Sequence, residues 1–249
     1  VSEVPGRGAS GLSEKYCVEI YESRPALGAA VAADILDCLA QAHTRLTEGQ
    51  GAELLWRDAL NKELAPIDAL KIYALKTSPA FEAALLAGIR LACPIDDYAE
   101  PIRQFARNLG VAFQILNDLG DWQGDDNNKL ATGLDTLGGR PTILLALALD
   151  ALDEDDRQSL LTLLDEQAGD AAEQIQKVRQ LYDKAGAFEK AARLVDKHQQ
   201  RAEMIADDIQ PEDLRRLLYY LIDSVLERPA VEPPVVVTLG QLATAENSS

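Results

Sequence analysis

Apolar residues recur three or four positions apart along almost the whole chain, while stretches that alternate apolar and polar residues are nearly absent. That period belongs to the α-helix, so the chain must bury helical faces against one another rather than build a sheet. The punctuation agrees. Pro66, Ser78-Pro79 and Pro141 suit helix starts, Asp153 suits a cap and Gly186 suits a helix end. The spacing predicts helices at about 13–22 and 26–61, the second bent near Gly49 or Gly51, and from Pro66 to a break just after Lys76-Thr77. Further helices are expected from Ser78, from near Pro101 to Trp122, from Pro141, from a cap at Asp153, from near Asp170 to Gly186, and at about 187–207 and 211–227. With 249 residues, 47% of them hydrophobic, one all-α domain over about 26–228 can bury a substantial core. Residues 1–25 read as a flexible segment, and 229–249, which contain PPVVVTL, as an extended or disordered tail.

Within this helical pattern, residues 113–129, FQILNDLGDWQGDDNNK, concentrate oxygen donors. Residues four apart share a helical face, so Asn117, Asp121 and, if the helix continues, Asp125 form one stripe, with Asp118 three before Asp121. Stacked carboxylates repel by a few tenths of a kcal/mol, roughly, a cost that a bound cation reverses. On a chain of net charge −17 such a stripe can be a plain solvated face. The apolar run GVAFQIL directly before it argues for burial, and buried carboxylates need partners. Hard oxygen donors of this kind suit Mg2+, which commonly takes one or two protein carboxylates and fills its other positions with water and phosphate oxygens.

Cations that could meet a phosphate lie elsewhere in the chain. The break after Lys76-Thr77 would free backbone N–H groups at a new helix start, which attract phosphate, with the Lys76 charge beside them. A plain proline kink with an exposed lysine accounts for the same letters. Residues 123–139 hold Gly124, Gly133, Gly138 and Gly139 among acids and amides, and a loop of that length is uncommon unless functional or disordered. Lys129 and Arg140 are its cationic groups.

Around Phe113-Gln114 and the stripe that follows, the chain resembles the trans-isoprenyl diphosphate synthase family at its second aspartate-rich motif. Gly49-Gln50 with Glu53 is similar to that family's Gly-Gln helix segment, and Lys76-Thr77 with Phe81 to its Lys-Thr diphosphate-contacting turn. Lys129, Asp135 and Gly139-Arg140-Pro141-Thr142 resemble the basic loop after the second motif. LYDKAGAFEKAARLVDKHQQRAEMI and LRRLLYYLIDSVLER resemble the late helices, so that about residues 41–228 are covered. The resemblance implies an isoprenoid synthase-type helical bundle with a central apolar cavity, acting as a Mg2+-dependent prenyltransferase on prenyl diphosphate substrates. It implies metal binding by Asn117, Asp118, Asp121 and Asp125, and diphosphate contacts from Lys76, Gln114, Lys129 and Arg140 with Thr77 supporting the turn.

Two departures from the family pattern set alternatives. Asn117 stands where the family has Asp, and Asn117, Asp121 and Asp125 also resemble the Asn-led metal triad of class I terpene cyclases. The family's first aspartate-rich motif is not found: Asp34 and Asp37 lie too close to Gly49 and read as the solvent side of an amphipathic helix. A segment outside this chain or a non-catalytic, regulatory role would each account for that. The expected partners are accordingly a second copy, as a homodimer, or a catalytic subunit, as a heterodimer.

Composition excludes other classes. Net charge −17 argues against nucleic acid, and no run of about eighteen apolar residues suggests a membrane span. Neither does the N-terminus read as a secretory signal. Cys17, Cys38 and Cys93 show no metal or disulfide spacing and read as small hydrophobes in a reducing, cytoplasmic setting. His43 and His198 fall on predicted surface helices, which makes neither a general base. Trp56 and Trp122 read as core or cavity wall, and Tyr219 and Tyr220 as packing of the last helix.

Overall fold

The computed structural model describes residues 24–59, 62–122, 138–165 and 171–226. Among them are the helices α1 (Arg24–Asp58), α2 (Pro66–Lys76), α3 (Ser78–Ala92), α4 (Ala99–Asp121) and α5 (Ile143–Ala151). α6 (Glu154–Asp165), α7 (Ala171–Ala185), α8 (Ala187–Asp208) and α9 (Glu212–Val225) follow, and the described residues contain no strand. The expected helix at 13–22, Cys17 and the tail from residue 229 lie outside the described residues, as do Asp125 and Lys129.

Most boundaries follow the local chemistry expected of them. Pro66 opens α2, and the Asp153 carboxylate caps α6 by accepting from the Asp156 N–H at 3.0 Å. Gly186, at φ +64°, separates α7 from α8. At α5 the start is two residues later than Pro141, because Thr142 is the cap: its Oγ1 accepts from the Leu145 N–H at 3.2 Å. α1 runs as one element through Gly49 to Asp58.

α5 is the centre of the bundle. Its sequence ILLALALDA is apolar all round, and Ile143 to Leu149 are all buried against α2, α4, α7 and α8. Around it, α1 packs on α2 and α3, α3 on α4, and α4 along α8. α4 turns a stripe of Ile102, Phe105, Leu109, Ala112 and Ile115 inward, each essentially without exposure. Each buried Leu, Ile or Phe contributes roughly 1.5–3 kcal/mol of burial, which fixes α4 while its C-terminal turns reach the surface. No helix among the described residues is long and apolar enough to cross a membrane.

Some surface expectations need correction. Asp34 is not free on the solvent side: its carboxylate, about half exposed, accepts from the Arg90 Nε of α3 at 2.6 Å, tying α1 to α3. Asp37 is exposed as expected and accepts from Gln41 at 2.7 Å on its own helix. His198 is half-buried, in the seam between α4 and α8. Cys38 and Cys93 are free thiols packed against the core.

Candidate functional site

The turn from Lys76 to Ser78, where α2 ends and α3 begins, is clasped between two glycines. A Cβ on Gly49 of α1 would lie 2.8 Å from the Leu75 carbonyl carbon and the Lys76 nitrogen, both backbone atoms. A Cβ on Gly110 of α4 would lie 2.6 Å from Ser78 Oγ and 3.0 Å from the Ser78 nitrogen. Only glycine lets both helices approach this closely, so the turn is held from either side. Ser78 and Pro79 are consequently buried, and the start of α3 faces α4 rather than opening toward a ligand. The Ser78 N–H is therefore covered, and the side chain of Lys76 is the charged contact this turn offers.

Lys76 is held by Glu53, one turn beyond Gly49 on α1. Glu53 is buried, and its Oε2 accepts from the Lys76 ammonium, with Arg140 Nε 4.0 Å from its other oxygen. One carboxylate thus gathers two cations from segments far apart in sequence. Lys76 is about a quarter exposed and Arg140 about half, so both are accessible to a soluble anion. Beside them Gln114 of α4 donates from Nε2 to Thr77 Oγ1 at 2.5 Å, so Thr77 serves the turn by bonding across to α4 rather than capping α3.

From Gln114 the last turns of α4 carry the carboxylates. Asn117 is exposed and Asp121, the final residue of the helix, is partly exposed. Asp118 is rotated about 100° from Asn117 and is buried. The Tyr73 hydroxyl donates to Asp118 Oδ2, and the Ile143 N–H reaches Asp118 Oδ2 at 3.1 Å and Tyr73 Oη at 2.7 Å. Burial first and the Asp118 charge second push the Tyr73 phenol well above its usual range, so it remains a donor. Asp118 and Tyr73 together satisfy the first N–H of α5, an orphan donor in any helix, and place a negative charge at its positive end.

The end of α4 is anchored separately. Trp122 is buried, 5.2 Å from the Tyr182 ring and 5.9 Å from Phe188, and its carbonyl accepts from Arg179 Nη1 at 3.0 Å. A cation on the last carbonyls of a helix is favourable both as a hydrogen bond and against the helix dipole. Asp121 therefore sits on a fixed terminus.

The sequence-predicted residues divide accordingly. Lys76, Thr77, Gln114 and Arg140 are brought to one turn, Asn117 and Asp121 lie on the next turns of the same helix, and Asp118 is turned inward. Glu53, read from sequence only as part of a helix segment, is the residue that unites the two cations. Tyr73 was missed: it falls on the apolar face of α2, and nothing in the letters distinguishes it from core. The donors Asn117 and Asp121, hard oxygens, fit Mg2+, which needs few protein ligands. Among the described residues no group of three or more His, Cys, Asp and Glu is placed to hold a metal, in keeping with Asp118 facing the core.

Comparison with known proteins bears on the family and the fold. The short chain isoprenyl diphosphate synthase of Methanothermobacter thermautotrophicus is 25% identical over 185 residues, 74% of this chain and 55% of that protein. The chain spans about half the length of such curated relatives. The geranylgeranyl pyrophosphate synthetase of Pyrococcus horikoshii superposes with a TM-score of 0.70 at 23% identity, over 80% of this chain and 60% of that one. The polyprenyl synthase of Caulobacter crescentus, solved with calcium and isoprenyl diphosphate, gives 0.66 at 26% identity, over 79% and 60%. The fold is thus the all-α isoprenoid synthase bundle. Since the polyprenyl synthetase family model matches residues 15–184, more than half of the chain, this protein belongs to the polyprenyl synthetase family.

Proposed function

We propose that this chain supplies a diphosphate site of a Mg2+-dependent prenyltransferase, which joins an allylic prenyl diphosphate to isopentenyl diphosphate. One observation carries the reading: buried Glu53 holds Lys76 and Arg140 beside the Gln114–Thr77 bond, and Asn117 and Asp121 follow within about 10 Å on the same helix. Cations and oxygen donors are thus arranged to share one diphosphate. Lys76 and Arg140 bind and orient its oxygens and stabilise the charge that grows as the allylic carbon–oxygen bond breaks. Gln114 keeps the Lys76-Thr77 turn against α4, so these charges need not rearrange during reaction. Asn117 and Asp121 would hold magnesium, which when bound neutralises the departing diphosphate. Lys129 and Asp125, which lie outside the described residues, are assigned to the same diphosphate and metal. The new carbon–carbon bond forms between the allylic carbon and the alkene of isopentenyl diphosphate, with loss of a proton. Asp118 is assigned to the fold and not to the metal.

A second reading follows from Asp118. With that carboxylate engaged at α5, the remaining stripe is Asn-led, as in terpene cyclases, where an internal double bond captures the cation. Diphosphate release from geranyl or farnesyl diphosphate with Mg2+, measured with and without isopentenyl diphosphate, separates the two. Release that needs isopentenyl diphosphate supports chain elongation, and release without it supports cyclisation. No release under either condition would remove both and favour a non-catalytic partner subunit.

A further inference from the structure

A groove of about 550 Å3 opens between α4 and α8, lined by Glu100, Gln104, Arg107 and Asn108 on one side and by His198 and Arg201 on the other. Arg107 lies ten residues before Asn117, roughly 15 Å along the helix, so the groove is separate from the site above. Its electrostatics are unlike those of the rest of the chain. Acids outnumber bases 41 to 24, and Arg45, Arg90, Arg103, Arg157 and Lys184 all have carboxylate partners. Arg107, Lys197 and Arg201 make no ion pair among the described residues. Arg107 and Arg201 line the groove with His198, whose imidazole is pushed down to about 4, by burial first and then by Arg201, Lys197 and Arg107. The one acid in the groove, Glu100, is engaged with Arg103 at 3.0 Å and with Gln104 at 2.8 Å.

The groove's polar groups are also oriented. Asn108 donates from Nδ2 to the Gln104 carbonyl at 2.8 Å, which turns its Oδ1 to His198 Nδ1 at 2.9 Å. His198 must therefore carry its proton on Nδ1 and donate it to Asn108. Two guanidinium groups, Arg107 and Arg201, line the groove against one carboxylate that is already engaged, and a bound anion would offset the repulsion between them. Two guanidinium groups from adjacent helices are suited to an oxyanion with several acceptor oxygens, since each can bind two of them at once.

We infer that the α4–α8 groove is a metal-independent binding site for a phosphate or diphosphate group, held by Arg107 and Arg201. The site does not rest on the proposed prenyl transfer. It contains no acidic stripe that would call for magnesium. It does share a frame with the Lys76 turn, because Ser78 Oγ donates to the Arg107 carbonyl at 3.4 Å.

The chain has only two histidines, which makes the test selective: His198 reports on the groove, and His43, exposed on α1, is an internal control. Imidazole NMR signals would be followed while inorganic phosphate, inorganic diphosphate or farnesyl diphosphate is added to the whole chain in EDTA at constant ionic strength. The expected result is a saturable shift of His198 and none of His43, with affinity lowered at least about tenfold in Arg107→Ala and in Arg201→Ala and unchanged in Lys76→Ala. Tighter binding of the prenyl ester than of inorganic diphosphate would identify the anion as one end of a larger molecule; equal affinity would identify the free ion, and either supports the site. An unmoved His198, an equal response to chloride, or wild-type affinity in both arginine variants would overturn it.

Discussion

The two sides of the candidate diphosphate site are built differently. The cation side is assembled from residues distant in sequence and is locked: Gly49 and Gly110 clasp the turn, and buried Glu53 draws Lys76 and Arg140 together. The carboxylate side is a few consecutive letters on one helix, yet those letters separate in space. Asn117 faces outward, Asp121 is partly exposed with one carboxylate oxygen buried, and Asp118, next to Asn117, faces the core and serves α5. Adjacent helical residues point about 100° apart, so neighbouring acids in a motif cannot both address one ion from the same face. What looks like a cluster in sequence divides here between the donors proposed as ligands and a residue that serves the scaffold.

The sharpest way to break this contrast is to exchange the roles of its acids. Asp121→Ala is expected to lower Mg2+-dependent diphosphate release by roughly 10²–10³-fold while changing stability by less than about 1 kcal/mol, measured by turnover and urea denaturation. Asp118→Ala should do the reverse in stability, costing about 1–3 kcal/mol because the Tyr73 hydroxyl and the Ile143 N–H lose a buried acceptor. Equal stability losses in the two variants would remove the distinction between ligand and scaffold.

On the cation side, Glu53→Ala leaves the half-buried Lys76 without its partner. An expected destabilisation of up to about 3 kcal/mol would appear as a lower denaturation midpoint, together with weaker diphosphate binding. Gly49→Ala is smaller, about 1–3 kcal/mol, because α1 must move off the Lys76 backbone; a crystal structure with α1 undisplaced would contradict the clasp. A pH dependence is also expected at His198. Its folded pKa, about 4, lies below the unfolded value of about 6.5, so the folded state disfavours its charged form. Stability from this group is complete above about pH 6.5 and is lost as pH falls toward 4. His198→Asn should flatten that part of the stability profile, and an unchanged profile would show that burial at the seam does not govern it.

Much of the fold was legible because helix signals are local. Pro66, the Ser78-Pro79 pair, Asp153 and Gly186 mark ends through their own backbone chemistry, and tertiary packing did not override them. The cation side was readable residue by residue, although the reason these residues meet was not. Gly49 or Gly51 reads as a bend, and nothing in the letters signals that the missing Cβ of Gly49 serves the approach of α2; Gly110 sits inside an apolar run and gives no sign of facing Ser78. The Tyr73–Asp118–Ile143 network joins residues 45 and 25 positions apart, and no period of a single helix encodes such a contact. His198 was misplaced at the surface for the same reason, since the seam that half-buries it is made by two helices.

The central claim is that Asp121 belongs to the metal and Asp118 to the fold. The most direct test is calorimetric titration of a non-ionisable prenyl thiolodiphosphate into wild type, Asp121→Ala and Tyr73→Phe, with and without Mg2+. The account predicts Mg2+-dependent binding in wild type and Tyr73→Phe and its loss in Asp121→Ala. Mg2+-dependent binding that survives in Asp121→Ala, or that disappears equally in Tyr73→Phe, would contradict it.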